Sequence, residues 1–297
     1  MTLYQRVSTH LSLARSRYRD PALTASLTTL VASAGSVVYG TRPRTIRAVG
    51  VFFADTFPAA LWRARWFIAA SFLLFALPAL ATGTWIANSP AALEAAGPEA
   101  VREAYVQEDF EEYYSALPST QFAAAVSTNN IQVSFSAFAA GILLCLPTAY
   151  ILALNGANIG FAAGLFAAAG QQPRFWGLIL PHGLLEVTAV LIAGAAGLQL
   201  GWSLIDPGDR RRGEALAEEG RRAVVIVIGL VVVFIVAGLI EGYVTGSRLP
   251  TAVRVGIGVL VEVTFLAYAI VRGRLSAARG LTGALGEHEG AGWAPAA

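Results

Sequence analysis

The feature that most constrains this chain is a set of apolar runs long enough to cross a bilayer: Trp66 to Ala87, Ile131 to Leu154, Phe175 to Ile205, Ala223 to Thr245 and Val253 to Val271. A hydrocarbon core about 30 Å thick needs roughly 20 mostly apolar helical residues to cross it. Lipid offers no partner for backbone polar groups, so such runs must be helices or closed barrels. Their length predicts an all-α polytopic transmembrane bundle. Composition agrees, because 56% of the 297 residues are hydrophobic and 13% are charged, where a soluble domain carries about 25% charged residues. That sets aside the water-soluble enzyme classes, and the single Cys excludes an intramolecular disulfide.

A sixth apolar segment, Gly156 to Gly170, is roughly 15 residues long against the roughly 20 required. Charge decides whether it crosses. All 21 basic residues are Arg; nine of them fall in the first 65 residues, five lie between Asp206 and Arg222, and Arg272, Arg274 and Arg279 follow the last span. The positive-inside rule places all three blocks in the cytoplasm. The 88–128 stretch has seven acids and one Arg, which suits an external loop. Six spans with both termini cytoplasmic satisfy every block, with 156–170 as a short span or a re-entrant segment. The expected division is a cytoplasmic segment over 1–65, a six-span domain over 66–272 and a flexible cytoplasmic tail over 273–297. The first apolar run begins too late for a cleavable signal peptide, which occupies the first 15 to 30 residues.

Before the first span, Leu23, Leu27, Leu30 and Val31 recur at helical spacing, and so do Val49, Phe52, Phe53, Phe57 and Leu61 after Pro43. These predict two amphipathic helices, lying on anionic lipid headgroups of the inner leaflet or packed on a cytosolic partner or the bundle's own underside. In the external loop, Ala104 to Leu117 predicts an acidic amphipathic helix ended by Pro118.

The candidate site consists of the polar groups inside the spans, where an ionisable side chain costs several kcal/mol unless paired or hydrated. His182 and Glu186 are four residues apart and share one helix face. Glu241 lies near the outer end of the fifth span, Asn129 and Asn130 open the second, and Glu262 sits near the middle of the sixth. Depths of about 10 Å for His182, 16 Å for Glu186 and 6 Å for Glu241 place them in the outer half of the bundle. The plainest reading is a hydrogen-bonded network that fixes helix register. The alternatives are a site for Zn²⁺ or a similar divalent metal on His182, Glu186 and Glu241, or a proton relay; the spacing lacks the second His of the zinc-protease helix. Gly156, Gly160 and Gly164, then Gly197 with Gly201 and Gly238 with Gly242, form small-residue stripes that let helices approach closely in lipid. Asn155 is expected to cap the short helix.

Thr128-Asn129-Asn130-Ile131, Phe135 to Ile142, Asn155-Gly156, Leu180 to Gly183 with Glu186, Ala193 to Leu198 and Ile240 to Thr245 together resemble the stage II sporulation protein M family. The resemblance covers about residues 10 to 272 in motif order. It implies a non-catalytic membrane scaffold that anchors a peptidoglycan-degrading complex by recruiting hydrolases, and a place in cell-envelope remodelling at the bacterial cytoplasmic membrane. The Arg-only, Ala-rich composition resembles that of an actinobacterium. Expected partners are the bilayer and its anionic headgroups, other envelope proteins including peptidoglycan hydrolases, and a second copy of the chain; nucleic acid is not among them. Two rival readings are a small ion- or proton-coupled transporter or channel lined by His182, Glu186, Glu241 and Glu262, and an intramembrane metal-dependent hydrolase.

Overall fold

A computed structural model describes residues 45–109 and 119–287, together with a few earlier positions (10, 11, 13, 27–29 and 31). Contacts divide the chain into two units, Met1–Val51 and Phe52–Ala297. In the first, helix α1 covers Thr45–Val51 and exposes Ile46 and Val49. Leu23 and Leu30 of the earlier expected helix lie outside the described residues.

The second unit is built from helices, with no strand among its described residues. In chain order they are α2 (Phe57–Arg63), α3 (Arg65–Asn88), α4 (Pro90–Ala95), α5 (Glu99–Ala104), α6 (Ser119–Ala139), α7 (Leu146–Ala168), α8 (Gln172–Ile205), α9 (Arg212–Ile240) and α10 (Thr251–Ala278). Single π-helical turns precede α2 (Phe52–Thr56), follow α5 (Tyr105–Asp109) and extend α9 (Glu241–Thr245). Five helices are long and apolar enough to cross a membrane: α3, α7, α8, α9 with its π turn, and α10.

The expected span Ile131 to Leu154 is not one helix. The chain turns over inside it: α6 ends at Ala139, a 3₁₀ turn covers Ala140–Ile142, and Leu144 and Cys145 take left-handed backbone angles, φ 58° and 68°. Pro147, near the start of α7, suits that point because a first-turn residue needs no N–H partner. The segment 156–170 is therefore the second half of α7, at 23 residues a full-length helix rather than a short or re-entrant span. Hydropathy missed the turn because it is made of Leu143, Leu144 and Leu146, all exposed and all apolar. The same shift corrects Asn155, which sits inside α7 and donates to the Ile151 carbonyl at 2.8 Å instead of capping a helix.

Glycine registers fix the helix directions. A Cβ on Gly156 would lie 2.0 Å from the Phe75 carbonyl oxygen, one on Gly160 2.2 Å from that of Ala79, and one on Gly164 2.8 Å from that of Gly83. Both numberings rise together, so α3 and α7 run parallel along two turns of backbone contact. Gly197 against Ala137, and Gly201 against Gly141, make α6 and α8 parallel in the same way. Gly258 meets the Pro181 carbonyl and Glu262 meets Thr188, which aligns α10 with α8. A chain that leaves α3 and re-enters α7 in the same direction must first return. Within that connection α6, 21 residues and about 31 Å long, has the length to do so.

At the end opposite the α3–α5 connection, residues 52–65, expected with the amino-terminal segment, are built into the bundle. Phe57 is 1% exposed in the main core with Leu61, Ala64, Val190, Ile226 and Phe234. The turn before it is held by α10: Tyr268 donates to the Phe53 carbonyl, Arg272 to the Ala54 carbonyl, and Arg272, Ser276 and Arg279 to Asp55. Packing against the bundle is thus the observed state of residues 52–65. The expected tail is also partly ordered, since α10 runs to Ala278 and the Thr282 and Gly283 N–H groups donate to Glu287.

Candidate functional site

Three helices build the polar cluster. On α8, His182 and Glu186 lie one turn apart, 3% and 2% exposed. Pro181 lies inside the same helix and leaves the carbonyl four residues back without its usual donor. On α9, the π turn carries Glu241 and Thr245, 2% and 5% exposed, toward the same place. His182 spans them: its Nδ1 is 3.1 Å from Thr245 Oγ1 and its Nε2 is 3.9 Å from Glu241 Oε1. From α6, Asn130 donates through Nδ2 to Glu186 Oε2. A mid-helix proline and a π turn at one level are departures that packing alone does not require, and π turns recur at functional sites.

The sequence therefore found the cluster's centre. The structure brings His182, Glu186, Glu241 and Asn130 together but leaves Asn129 exposed and apart. Glu262 is separate as well. It accepts from Thr188 Oγ1 at 2.8 Å, and Thr188 lies about 200° around α8 from Glu186 at 3.6 residues per turn. The body of α8 stands between the two carboxylates. Among the described residues, no three His, Cys, Asp or Glu side chains are arranged to hold a metal ion. Glu186 turns one oxygen to Asn130, and the His182 Nδ1 turns to Thr245.

Glu241 is the unsatisfied member. Both of its oxygens are buried with no hydrogen-bond partner among the described residues. Arg254 on α10 donates to the Thr245 carbonyl rather than to that carboxylate. Thr245 was missed in the sequence reading, although its i, i+4 relation to Glu241 marks it as lying on the same side of the helix.

A second polar network closes the opposite end of the bundle. Glu219 and Arg222, 5% and 4% exposed, pair at 2.8 Å; Gln199 and Arg63 also reach Glu219, and Arg210 and Arg222 reach Glu218. Arg222 of the 206–222 block is thus buried against its carboxylate partners, while Arg210 stays partly exposed. Mean hydropathy and charge counts could not show this, since Glu218 and Glu219 carry the matching charge only once α9 is folded.

Toward the start of α8, the acidic loop folds onto the bundle. Val106, 2% exposed, packs with Phe166, Phe175, Ile86 and Ala92, and Arg174 donates to the Val106 and Gln107 carbonyls. Glu94, Glu99 and Glu103 remain exposed on this cap. Helix is present over 99–109, including the π turn, and 110–118 of the expected amphipathic helix lie outside the described residues.

Comparison with known proteins bears on residues of both units. The profile of the stage II sporulation protein M family matches residues 71–246, which include every member of the outer cluster, and that of a domain of unknown function matches residues 1–40. An uncharacterized protein of the archaeon Methanocaldococcus jannaschii is 28% identical over 132 residues, 43% of this chain and 74% of that protein. No solved structure matches.

Proposed function

The chain belongs to the stage II sporulation protein M family, and from that premise we propose that it is a non-catalytic scaffold of a cell-envelope complex in the cytoplasmic membrane. In this reading the five long helices and α6 make six crossings, with both termini cytoplasmic. The parallel registers of α3 with α7 and of α6 with α8 support α6 as the returning span. The observation that carries the reading is the acidic cap docked on the bundle. Arg174 ties the loop to α8, Val106 anchors it in an apolar cluster, and three carboxylates face outward on a frame whose helices touch backbone to backbone. A pre-organised acidic surface suits a basic partner domain, because its ordering cost is already met. Peptidoglycan hydrolases are the partner class that the family implies. Within the internal cluster, the Asn130–Glu186 and His182–Thr245 hydrogen bonds then hold α6, α8 and the end of α9 in register.

A transporter needs a polar path, and the placing of Glu262 on the far side of α8 from Glu186 favours the scaffold over a continuous one. The test is co-purification of envelope proteins with wild-type protein and with Glu94→Arg/Glu99→Arg/Glu103→Arg. A scaffold loses specific partners on charge reversal while its own membrane level is unchanged. An unchanged partner set in the triple variant would defeat the reading.

A further inference from the structure

The same three helices that carry the outer cluster also enclose a groove. It lies between α6 and α9 over a floor formed by Ala193 of α8, with a volume of about 380 Å³. Along α9 it runs from Val227 to Leu239, twelve residues or about 18 Å, close to the thickness of one leaflet's hydrocarbon. Its rim is Phe135, Val231 and Ile235, each more than half exposed, so it opens sideways rather than to water. Helix periodicity sets the cluster at its outer end: Asn130 is one turn above Ser134, Glu186 two turns above Ala193, and Glu241 two turns above Phe234. The groove is too small for a helix, which is about 10–12 Å across, but admits a single extended chain.

Two buried groups here lack partners among the described residues. One is the Ser134 hydroxyl, 5% exposed, within the groove; the other is the Glu241 carboxylate at its head. The valley on the other side of α9, about 520 Å³ and equally apolar, supplies the contrast. Its polar members are satisfied, with Thr264 donating to the Leu260 carbonyl and Tyr268 to that of Phe53. Among the described residues Glu262 Oε2 on α10 is also buried without a partner, but Glu262 does not line that valley and its other oxygen is held by Thr188. Glu241, in contrast, has both oxygens unmet two turns beyond Phe234 of the α6–α9 groove.

We propose that this groove binds one membrane amphiphile, its hydrocarbon chain lying between α6 and α9 and an ammonium on its head group donating to Glu241. The chain enters sideways from the bilayer past Val231 and Phe135. The head supplies the donors that Asn130, His182 and Thr245 do not provide to Glu241.

The test uses the full-length protein in vesicles of phosphatidylglycerol containing a minor fraction of phosphatidylethanolamine with a photoreactive acyl chain. Labelled residues are mapped by mass spectrometry. Labelling is expected to concentrate on 131–138 and 227–239 over the α9–α10 valley. Val231→Trp, which covers the mouth from an exposed position, abolishes that excess, and Ala193→Phe fills the floor as a second route should one variant misfold. Glu241→Gln lowers occupancy by the ammonium lipid at least tenfold, a change of about 1.4 kcal/mol, and removes its advantage over a photoreactive phosphatidylglycerol. Equal labelling of the two valleys, or labelling that survives both groove variants, overturns the proposal. Cross-links from these positions to a second polypeptide instead of lipid overturn it too.

Discussion

Gly156 and Phe75 meet backbone to backbone, so that a Cβ on the glycine would come within 2.0 Å of the phenylalanine carbonyl oxygen. Nothing flexible lies in that contact, and relief requires α3 and α7 to separate along their length. Gly156→Ala is therefore expected to cost about 1–3 kcal/mol, the usual range for overpacking, with Gly160→Leu at the upper end. Gly256 on α10 has nothing within 4 Å of the same position. Gly256→Ala should be neutral or stabilise by up to about 1 kcal/mol through helix propensity. Thermal unfolding of the purified protein in one detergent compares the three, and equal midpoints for all of them would refute the interlock.

Phe57 measures how far residues 52–65 belong to the bundle. Its ring occupies the space opposite Gly229, where a Cβ would fall 2.2 Å from the ring carbons, and it packs near Phe52, Phe53 and Tyr268. Phe57→Ala should lower stability by about 3–5 kcal/mol, as for other buried aromatics. A segment that only rested on lipid would lose membrane attachment and leave the unfolding midpoint where it was. Unfolding and vesicle flotation, measured on one preparation, separate the two.

Much of this was legible in the sequence, for identifiable reasons. Long apolar runs can only be helices in lipid, so α3 and α8 were found close to their limits, while α9 starts eleven residues before its expected span and α10 ends seven residues after its own. The cost of burying charge marked His182, Glu186 and Glu241 before any geometry was known. What failed was anything decided by direction inside an apolar run. The reversal at Leu143–Cys145 changes no hydropathy, so α7 was split and Asn155 mistaken for a cap. Gly141 and Pro147, flanking that point, were the available signals. Charge counting likewise says nothing of the Glu218, Glu219 and Arg222 pairs, because it counts residues and not the contacts they form.

The pair Glu219 and Arg222 should behave as a buried ion pair does. Removing one partner strands a charge, so Arg222→Met or Glu219→Gln alone is expected to cost about 3–5 kcal/mol, whereas the double variant should recover a large part of that loss. Arg63, Arg210 and Gln199 also contact this site, so recovery will be incomplete. A double-mutant cycle from denaturant unfolding gives the coupling, and a value near zero would show that the pair is not the linchpin of its network.

Arg174 holds the acidic cap, external in the proposed topology, through two backbone carbonyls. Arg174→Ala leaves those oxygens to water and releases the chain around Val106, so the cap should open more often without unfolding the helices. Digestion of sealed, right-side-out vesicles with a Glu-specific protease should cut near Glu103 faster in the variant than in the wild type. Identical cutting rates would mean that Val106 alone secures the loop.

Glu186 and Glu241 lie on the same polar cluster, yet their removal should have opposite effects on stability. Glu186 accepts from Asn130, so Glu186→Met leaves a half-buried amide without its partner and should cost about 1 kcal/mol. Glu241 accepts from no described donor, and its nearest positive candidate, His182 Nε2, is 3.9 Å away. Glu241→Met removes a buried carboxylate that lacks compensation, and replacement of such groups by apolar ones is neutral or stabilising. The unfolding midpoint in detergent should hold or rise, while assembly with envelope partners or lipid is impaired, as where a destabilising group is retained for function. A midpoint that falls as far for Glu241→Met as for Glu186→Met would show that Glu241 is a structural support, and the interpretation of it as a reserved acceptor would have to be abandoned.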